Sequence, residues 1–227
     1  EKELVAVKSK FVSIASHEFR TPLSTIALAA GFIKRHKSKL SAADIDRKLE
    51  NIDKQVNQMT YLLDDILTIG KAEAGKLQTK MEEMDVNDLR KIAQEAVKST
   101  GKKHKLVFSQ ECKRDGIVTD EKLVRNIIIN LVTNAVKFSP DADRIIVEVR
   151  VDEELLTLRV QDHGVGIPDQ DMPNLFNSFS RGSNVTEIEG TGLGLSIVKK
   201  AVEMLGGKID VKSEIGKGTE FKISIPA

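Results

Sequence analysis

Ile45, Leu49, Ile52, Val56, Met59, Leu63 and Ile66 recur at alternating steps of four and three, without a break. A strand repeats every two residues, so this period belongs to a long amphipathic helix with the seam of a coiled coil. Leu4, Val7, Phe11 and Ile14 keep the same rhythm, and Leu23, Ile26, Ala30 and Ile33 resume it beyond Pro22. Between the two stretches, "KRHKSKLS" (Lys34 to Ser41) is polar and ends the first helix, with Ser41 placed to cap the second. The second helix runs to "KAEAGK", where Gly75 suits a C-terminal cap. Two long helices joined by a short polar loop form a hairpin. So thin a hairpin has too little surface to bury its own stripe, and a dimeric four-helix bundle is the expected solution.

Past the hairpin the pattern changes. "LQTKMEEMDV" reads as linker and first strand of a new unit. "VNDLRKIAQEAVKST" is helical, "KLVFSQE" is a strand, and "DEKLVRNIIINLVTNAVKFSP" is a helix with Asp120 at its cap. "IIVEVRVDEELLTLRVQDHG" reads as two strands around an acidic turn, and "GLGLSIVKKAVEMLGG" as a helix. "KIDVKSEIGKGTEFKISIP" is a closing hairpin with Gly216 and Gly218 in its turn. Helices on one face of a mixed sheet make an α+β sandwich. The expected boundaries are residues 1–75 for the hairpin, 76–84 for a linker and 85–227 for the sandwich.

Bulk properties exclude several partners. A formal net charge of +1 on 227 residues gives no electrostatic reason to expect nucleic acid or an anionic membrane surface. One cysteine, Cys112, precludes an internal disulfide and suits a reducing compartment. No apolar run approaches the ~20 residues of a membrane span, and no signal-peptide pattern is present. The opening "EKELVAVKSKF" has no initiator methionine and a helical pattern already running, so the expectation is a fragment of something longer.

"FVSIASHEFRTPLS" places His17 inside the first helix. On the frame set by Leu4 and Val7, Ile14 is a core position and His17 falls beside the seam, so its ring is expected at the bundle surface. Arg20 and Thr21, three and four residues on, share its face, and Glu18 is offset by about 100°. Pro22 cannot donate to the carbonyl of Glu18 and crowds it, so a kink or loosened turn is expected beneath His17. The bland alternative is a surface histidine with an accidental proline. A helix that keeps a proline at ~3 kcal/mol, with an acid and a hydroxyl nearby, weighs against it. Neutral imidazole is a good nucleophile, and a neighbouring carboxylate can keep one ring nitrogen protonated so that the other attacks. That fits phosphoryl acceptance better than metal binding, because no second histidine or cysteine stands at ligand spacing.

Four further stretches carry chemistry. "NLVTNAVKFSP" aligns Asn130, Asn134 and Lys137 on one helical face, suited to a hydrated Mg²⁺ and phosphate oxygens, beside a buried stripe of Ile127, Leu131 and Ala135. "VQDHGVGIP" ends a strand with Asp162, a carboxylate able to accept an exocyclic amino proton of a base, followed by Gly164 and Gly166; taken alone the motif is better read as an ordinary strand-to-loop turn. "EGTGLGLSIVKK" sets Gly190, Gly192 and Gly194 before a helix whose N–H groups favour phosphate, yet it matches neither the Walker pattern nor a dinucleotide fingerprint. "NLFNSFSRGSNVTEIE" offers Phe176 and Phe179 as anchors of a polar loop that reads as a mobile lid, with Arg181 at its base free to reach a phosphate.

"SHEFRTPL" resembles the phospho-acceptor box of sensor histidine kinases. The four stretches resemble that family's asparagine, first glycine, phenylalanine and second glycine boxes in the same order, and "GKGTEF" resembles its last small glycine motif. The resemblance implies a dimerisation and histidine-phosphotransfer hairpin followed by a catalytic ATP-binding domain of the Bergerat type. It implies autophosphorylation on His17, with Glu18 orienting the imidazole and taking its proton, and Thr21 positioning water for dephosphorylation of the partner. It implies Mg²⁺ on Asn134, with Asn130 and Lys137 near the phosphates, Asp162 on adenine and Phe138 lining the base pocket. Gly192 and Gly194 would begin the helix under the triphosphate, and Arg181 would stabilise the moving phosphoryl group. Gly164, Gly166, Gly190, Thr191, Leu193, Leu195 and Thr219 complete the expected ATP site. Ser180 departs from the family pattern, where an aromatic is common before the arginine.

The implied partners are a second copy of the chain and a response-regulator receiver domain, with no nucleic acid and no direct membrane contact. The implied location is cytoplasmic, within a parent protein of a kind that can be anchored in the inner membrane. Two rivals remain at this stage. One is a gyrase-like or chaperone-like ATPase, disfavoured because "VRNIIIN" lacks a glutamate to activate water and His17 would be unexplained. The other is a non-catalytic nucleotide-binding adaptor. His36, His104 and His163 are read without a role.

Overall fold

The computed structural model describes residues 2–73, 79–185, 188 and 190–227; side chains are described outside 2–15, 17–18, 58, 61, 64–65, 68–69 and 71–73. Its contacts divide the chain into two compact units, Glu1–Lys71 and Ala72–Ala227.

The first unit is a helical hairpin of α1 (Lys2–His36) and α2 (Ala42–Glu73). α1 continues through Pro22, which is buried. Ser41 caps α2 as its sequence suggests: its Oγ accepts from the Asp44 N–H at 3.2 Å and donates to the Asp44 carboxylate at 2.6 Å. That carboxylate also pairs with Arg47, and these bonds hold the exposed Asp44 carboxyl below the usual range. On α2 the apolar positions separate into two stripes. Ile45, Ile52, Met59 and Ile66 are partly covered, whereas Leu49, Val56 and Leu63 stay about half exposed at 47%, 47% and 49%. The side chains of Leu4, Val7, Phe11 and Ile14, and the proposed cap at Gly75, lie outside the described residues.

The second unit is a two-layer sandwich. Its elements are β1 (Glu82–Asp85), α3 (Val86–Ser99), β2 (Lys105–Cys112), β3 (Gly116–Thr119), α4 (Glu121–Lys137), β4 (Arg144–Val151), β5 (Leu155–Gln161), α5 (Gly194–Met204), β6 (Lys208–Glu214) and β7 (Gly218–Pro226). A 3₁₀ helix, Asp169–Asn174, precedes the phenylalanine-box loop. Five strands form a mixed sheet in the order β2-β4-β5-β7-β6, with β2 and β4 parallel and the other pairs antiparallel. β1 and β3 pair separately. Alternation assigns one sheet face to the core: Ile145, Val147 and Val149 of β4, Leu156, Leu158 and Val160 of β5, and Phe221, Ile223 and Ile225 of β7. Leu89 and Ile92 of α3, Ile128 and Val132 of α4, and Val198 and Val202 of α5 belong to the same core cluster. The opposite face is charged, with Arg159 bridging Glu148 at 2.8 Å and Glu220 at 2.7 Å.

The helical hairpin and the α+β sandwich match the sequence expectation. β3 and the 3₁₀ helix do not appear in it; both are too short to show a period. Among the described residues, no helix is long and apolar enough to cross a membrane.

Candidate functional site

α4 supplies the backbone of the site. Asp120 starts the helix by accepting the Leu123 N–H, and Ile127, Leu131 and Ala135 bury one stripe. The burial leaves Asn130, Asn134 and Lys137 at its margin, half-buried. Asn130 donates from Nδ2 to the Asn126 carbonyl at 2.9 Å, which turns its Oδ1 outward. That oxygen sits 2.6 Å from where a side chain on Gly194 would begin, and the Asn134 amide lies 3.6 Å from the same point. The Lys137 ammonium occupies the space that a Gly190 side chain would need, and lies 4.8 Å from the centre of the Phe138 ring. The asparagine helix and the second glycine box therefore face one another at van der Waals distance. A carboxamide oxygen is a hard donor of the kind that Mg²⁺ prefers.

α5 begins at Gly194 without a side-chain cap: Leu193, fully buried, only anchors the turn, and Thr191 Oγ1 accepts the Leu193 N–H at 3.2 Å. Uncapped N–H groups and the positive end of the helix make this terminus receptive to anionic phosphate. Leu195 packs against the core and steadies the first turn. Gly192 has φ +71°, and a side chain there would meet the Phe179 carbonyl carbon and the Ser180 oxygen at 2.8 Å. Phe179 itself holds φ 64°, strained for a bulky residue, and donates its N–H to the Gly192 carbonyl at 2.9 Å. So the phenylalanine box and the second glycine box are tied backbone to backbone at the lid root.

The loop after the phenylalanine box is held at two further points. Asp171 Oδ2 accepts from the Ser183 N–H at 2.7 Å and its hydroxyl at 2.9 Å, and the Asn184 amide donates to the Gly166 carbonyl at 2.9 Å. Arg181, expected to be free at the lid base, donates to the carbonyls of Val185 and Ile188 within the loop.

Asp162 lies at the other side of the site, 6% exposed. Its Oδ1 accepts from the Gly164 N–H at 2.8 Å and the Thr219 N–H at 3.2 Å, so Oδ2 is left for a ligand. Burial pushes its carboxyl pKa up, against the lowering by those two bonds. Gly164 is pressed on the Phe138 carbonyl and Ser139, and Val165 donates to the Phe138 carbonyl at 3.0 Å. Thr219 returns a carbonyl to the Asp162 N–H at 2.9 Å, and its hydroxyl meets Ser213 at 2.8 Å. The last glycine motif thus supports the first glycine box. In this way Gly190 and Gly194 lie against Asn130, Asn134 and Lys137 of α4, and Gly164 against the turn at its end with Asp162 and Thr219 beside it, whereas Gly166 lies against Glu214 and Ile215, Gly192 against Phe179 and Ser180, and Arg181 bonds within its own loop.

His17 and Glu18 belong to α1, but their side chains lie outside the described residues. Thr21 is exposed, and its carbonyl accepts from the Thr25 hydroxyl at 3.1 Å. No sequence motif marks His104, yet its ring bonds to the carbonyl of Ser139, the residue after Phe138.

Comparisons with known proteins agree with this organisation. A family described as "His Kinase A (phospho-acceptor) domain" matches residues 7–75, and one described as "Histidine kinase-, DNA gyrase B-, and HSP90-like ATPase" matches residues 119–227. The chain is 31% identical to the sensor protein RprX of Bacteroides fragilis, over 100% of this chain and 45% of that protein. It is 33% identical to the sensor histidine kinase GacS of Pseudomonas protegens, over 98% of this chain and 25% of that protein. The chain therefore spans less than half the length of these relatives. Its fold is similar to that of the histidine kinase AdeS of Acinetobacter baumannii, with TM-score 0.68 and 24% identity, over 92% of this chain and 97% of that one. With a phospho-acceptor hairpin and an ATPase sandwich matched in that order, and relatives of the same kind along its length, the chain belongs to the sensor histidine kinases of two-component systems.

Proposed function

We propose that the chain phosphorylates itself on His17 from ATP and passes the phosphoryl group to an aspartate of a response-regulator receiver domain. The observation that carries this reading is the convergence, in one unit, of two carboxamides, a lysine, an uncapped helix start and a buried carboxylate, downstream of a helix bearing His17 beside Glu18.

Phosphoryl transfer needs positioning and charge neutralisation more than covalent chemistry from the protein. Asp162 Oδ2 would accept a hydrogen bond from the adenine amino group, and Phe138 would line the base. The N–H groups from Gly192 to Gly194 would hold phosphate oxygens, with Thr191 fixing their turn. Lys137 and Asn130 would face the phosphates. Arg181 would leave its loop carbonyls to meet the transferring group. Asn134 would hold Mg²⁺, which when bound neutralises charge on the phosphates. The ring nitrogen of His17 far from the backbone attacks the terminal phosphorus. The bond from that phosphorus to the bridging oxygen breaks toward ADP, and the proton on the other ring nitrogen goes to Glu18. Thr21 would position water when the same face removes phosphate from the regulator.

On this reading residues 1–75 form the dimerisation and phosphotransfer domain, 76–84 the linker and 85–227 the catalytic domain. The hairpin pairs with a second copy, and the reaction takes place on the cytoplasmic side, in a parent chain that carries the sensor and any inner-membrane anchor. Incubation with Mg²⁺ and ATP labelled on its terminal phosphate should give acid-labile, base-stable label on the protein, absent from His17→Gln. Equal labelling of His17→Gln would sink the mechanism. ATP hydrolysis with no protein-bound label would favour the gyrase-like class instead.

A further inference from the structure

We infer that His104 is a positioning residue of the nucleotide site: its imidazole fixes the turn at the end of α4 on which the first glycine box rests. This inference rests on the reading of the second unit as an ATP site. His104 immediately precedes β2, whose parallel pairing with β4 begins at Lys105 opposite Arg144, and the Lys105 N–H is bound to the Asp143 carbonyl at 2.8 Å. The ring is thus delivered by the sheet register. Its Nε2 lies 2.9 Å from the Ser139 carbonyl. A carbonyl only accepts, so Nε2 carries the hydrogen and donates.

Ser139 is completely buried, and its hydroxyl donates to the Ala135 carbonyl at 2.5 Å. Its own carbonyl also accepts the Ala142 N–H at 3.1 Å, so the turn after α4 closes on the oxygen that His104 holds. On the other side of this turn the Phe138 carbonyl accepts from Val165, and Gly164 is pressed against Phe138 and Ser139. Gly164 in turn donates to Asp162 Oδ1. A continuous set of bonds therefore runs from His104 through Ser139 and Phe138 to the carboxylate proposed to read the base.

The second ring nitrogen argues that the position serves its donor. Nδ1 is buried with no partner among the described residues. Burying a polar atom unpaired is unfavourable, and an apolar ring would fill the space without that penalty. What an apolar ring lacks is the Nε2 hydrogen. The side chain acts through the turn rather than on base or phosphate, and its effect belongs to nucleotide affinity.

The test uses the chain of residues 1–227, with ADP and Mg²⁺ as the calorimetric probe and ATP in the autophosphorylation assay. His104→Phe keeps the ring volume and removes the donor; His104→Gln keeps an amide donor near the place of Nε2. His104→Phe should weaken ADP binding and raise KM for ATP by about fivefold, the usual worth of one such hydrogen bond, with kcat at saturating ATP unchanged. His104→Gln should recover most of the affinity. Wild-type affinity in His104→Phe overturns the inference, as does a His104→Gln variant as weak as His104→Phe, whatever their melting temperatures. No ADP binding by the unaltered chain would remove the nucleotide reading and this inference together, whereas normal binding that is indifferent to residue 104 removes only the latter.

Discussion

Asp162 shows how far one residue can serve function against stability. It is buried, and burial raises its carboxyl pKa above that of the unfolded chain. The folded state therefore holds the proton more tightly, and stability falls as pH rises from the ordinary carboxylate range through the raised folded value. Asp162→Asn removes the charge and keeps an oxygen for the Gly164 and Thr219 N–H groups. Above that window the variant should unfold at a higher temperature than the wild type, with the gap closing toward low pH. Its Nδ2 would set a donor against the amino donor of adenine, so nucleotide affinity should fall by roughly 10- to 100-fold, the worth of a charged hydrogen bond. Melting curves across pH, with calorimetric nucleotide titrations, check both halves; a variant that is less stable at neutral pH and still binds tightly contradicts them. Asp162 was legible only through the order of the family boxes, because "VQDHGVG" by itself reads as a strand-to-loop turn. His104 was not, because its partner Ser139 is 35 residues away and no local pattern links them.

Among the elements, α4 was the most legible, and Asp120 shows both the reach and the end of that legibility. A carboxylate before a helical period signals a cap, and Oδ1 indeed accepts from the Leu123 N–H at 3.1 Å. The sequence does not show that Oδ2 also accepts the Lys80 N–H at 2.8 Å, from the segment that enters the sandwich 40 residues earlier. One side chain thus starts the asparagine-bearing helix and holds the incoming chain to it. Asp120→Ala loses both bonds and should destabilise the second unit by about 1–2 kcal/mol for the cap alone, lowering its melting temperature by ~2–4 °C per kcal/mol. Asp120→Asn keeps one acceptor oxygen and should lie between alanine and the wild type. An Asp120→Ala variant as stable as the wild type would mean that water replaces both bonds without loss. Short elements escaped the same reading: β3 has four residues and is defined by its pairing with β1, from Glu82 opposite Thr119 to Asp85 opposite Gly116. A strand that exists through a distant partner leaves almost no trace in its own sequence.

For the molecule as a whole, the unsolved surface is the stripe of Leu49, Val56 and Leu63, seven residues apart on α2. Leu23 and Ala30, also seven apart, leave a second exposed stripe on α1. The sequence predicted an apolar seam but not its division, because which half faces the neighbouring helix depends on how the two helices meet. Covering the exposed half of each large side chain is worth roughly 1 kcal/mol, and a second copy would cover all of them at once. A carboxylate in the stripe would have to be buried unpaired at that interface, so Leu63→Glu should reduce the solution mass from dimer to monomer. Asn57→Glu, at an exposed polar position of the same helix, should leave the dimer intact. Because the second unit has its own core, Leu63→Glu should leave its ADP affinity unchanged even as the dimer separates. Light scattering and calorimetry on the same samples decide the matter. A dimer that survives Leu63→Glu would assign the stripe another occupant, and a parallel loss of ADP binding would show that the sandwich depends on the paired hairpins for its shape.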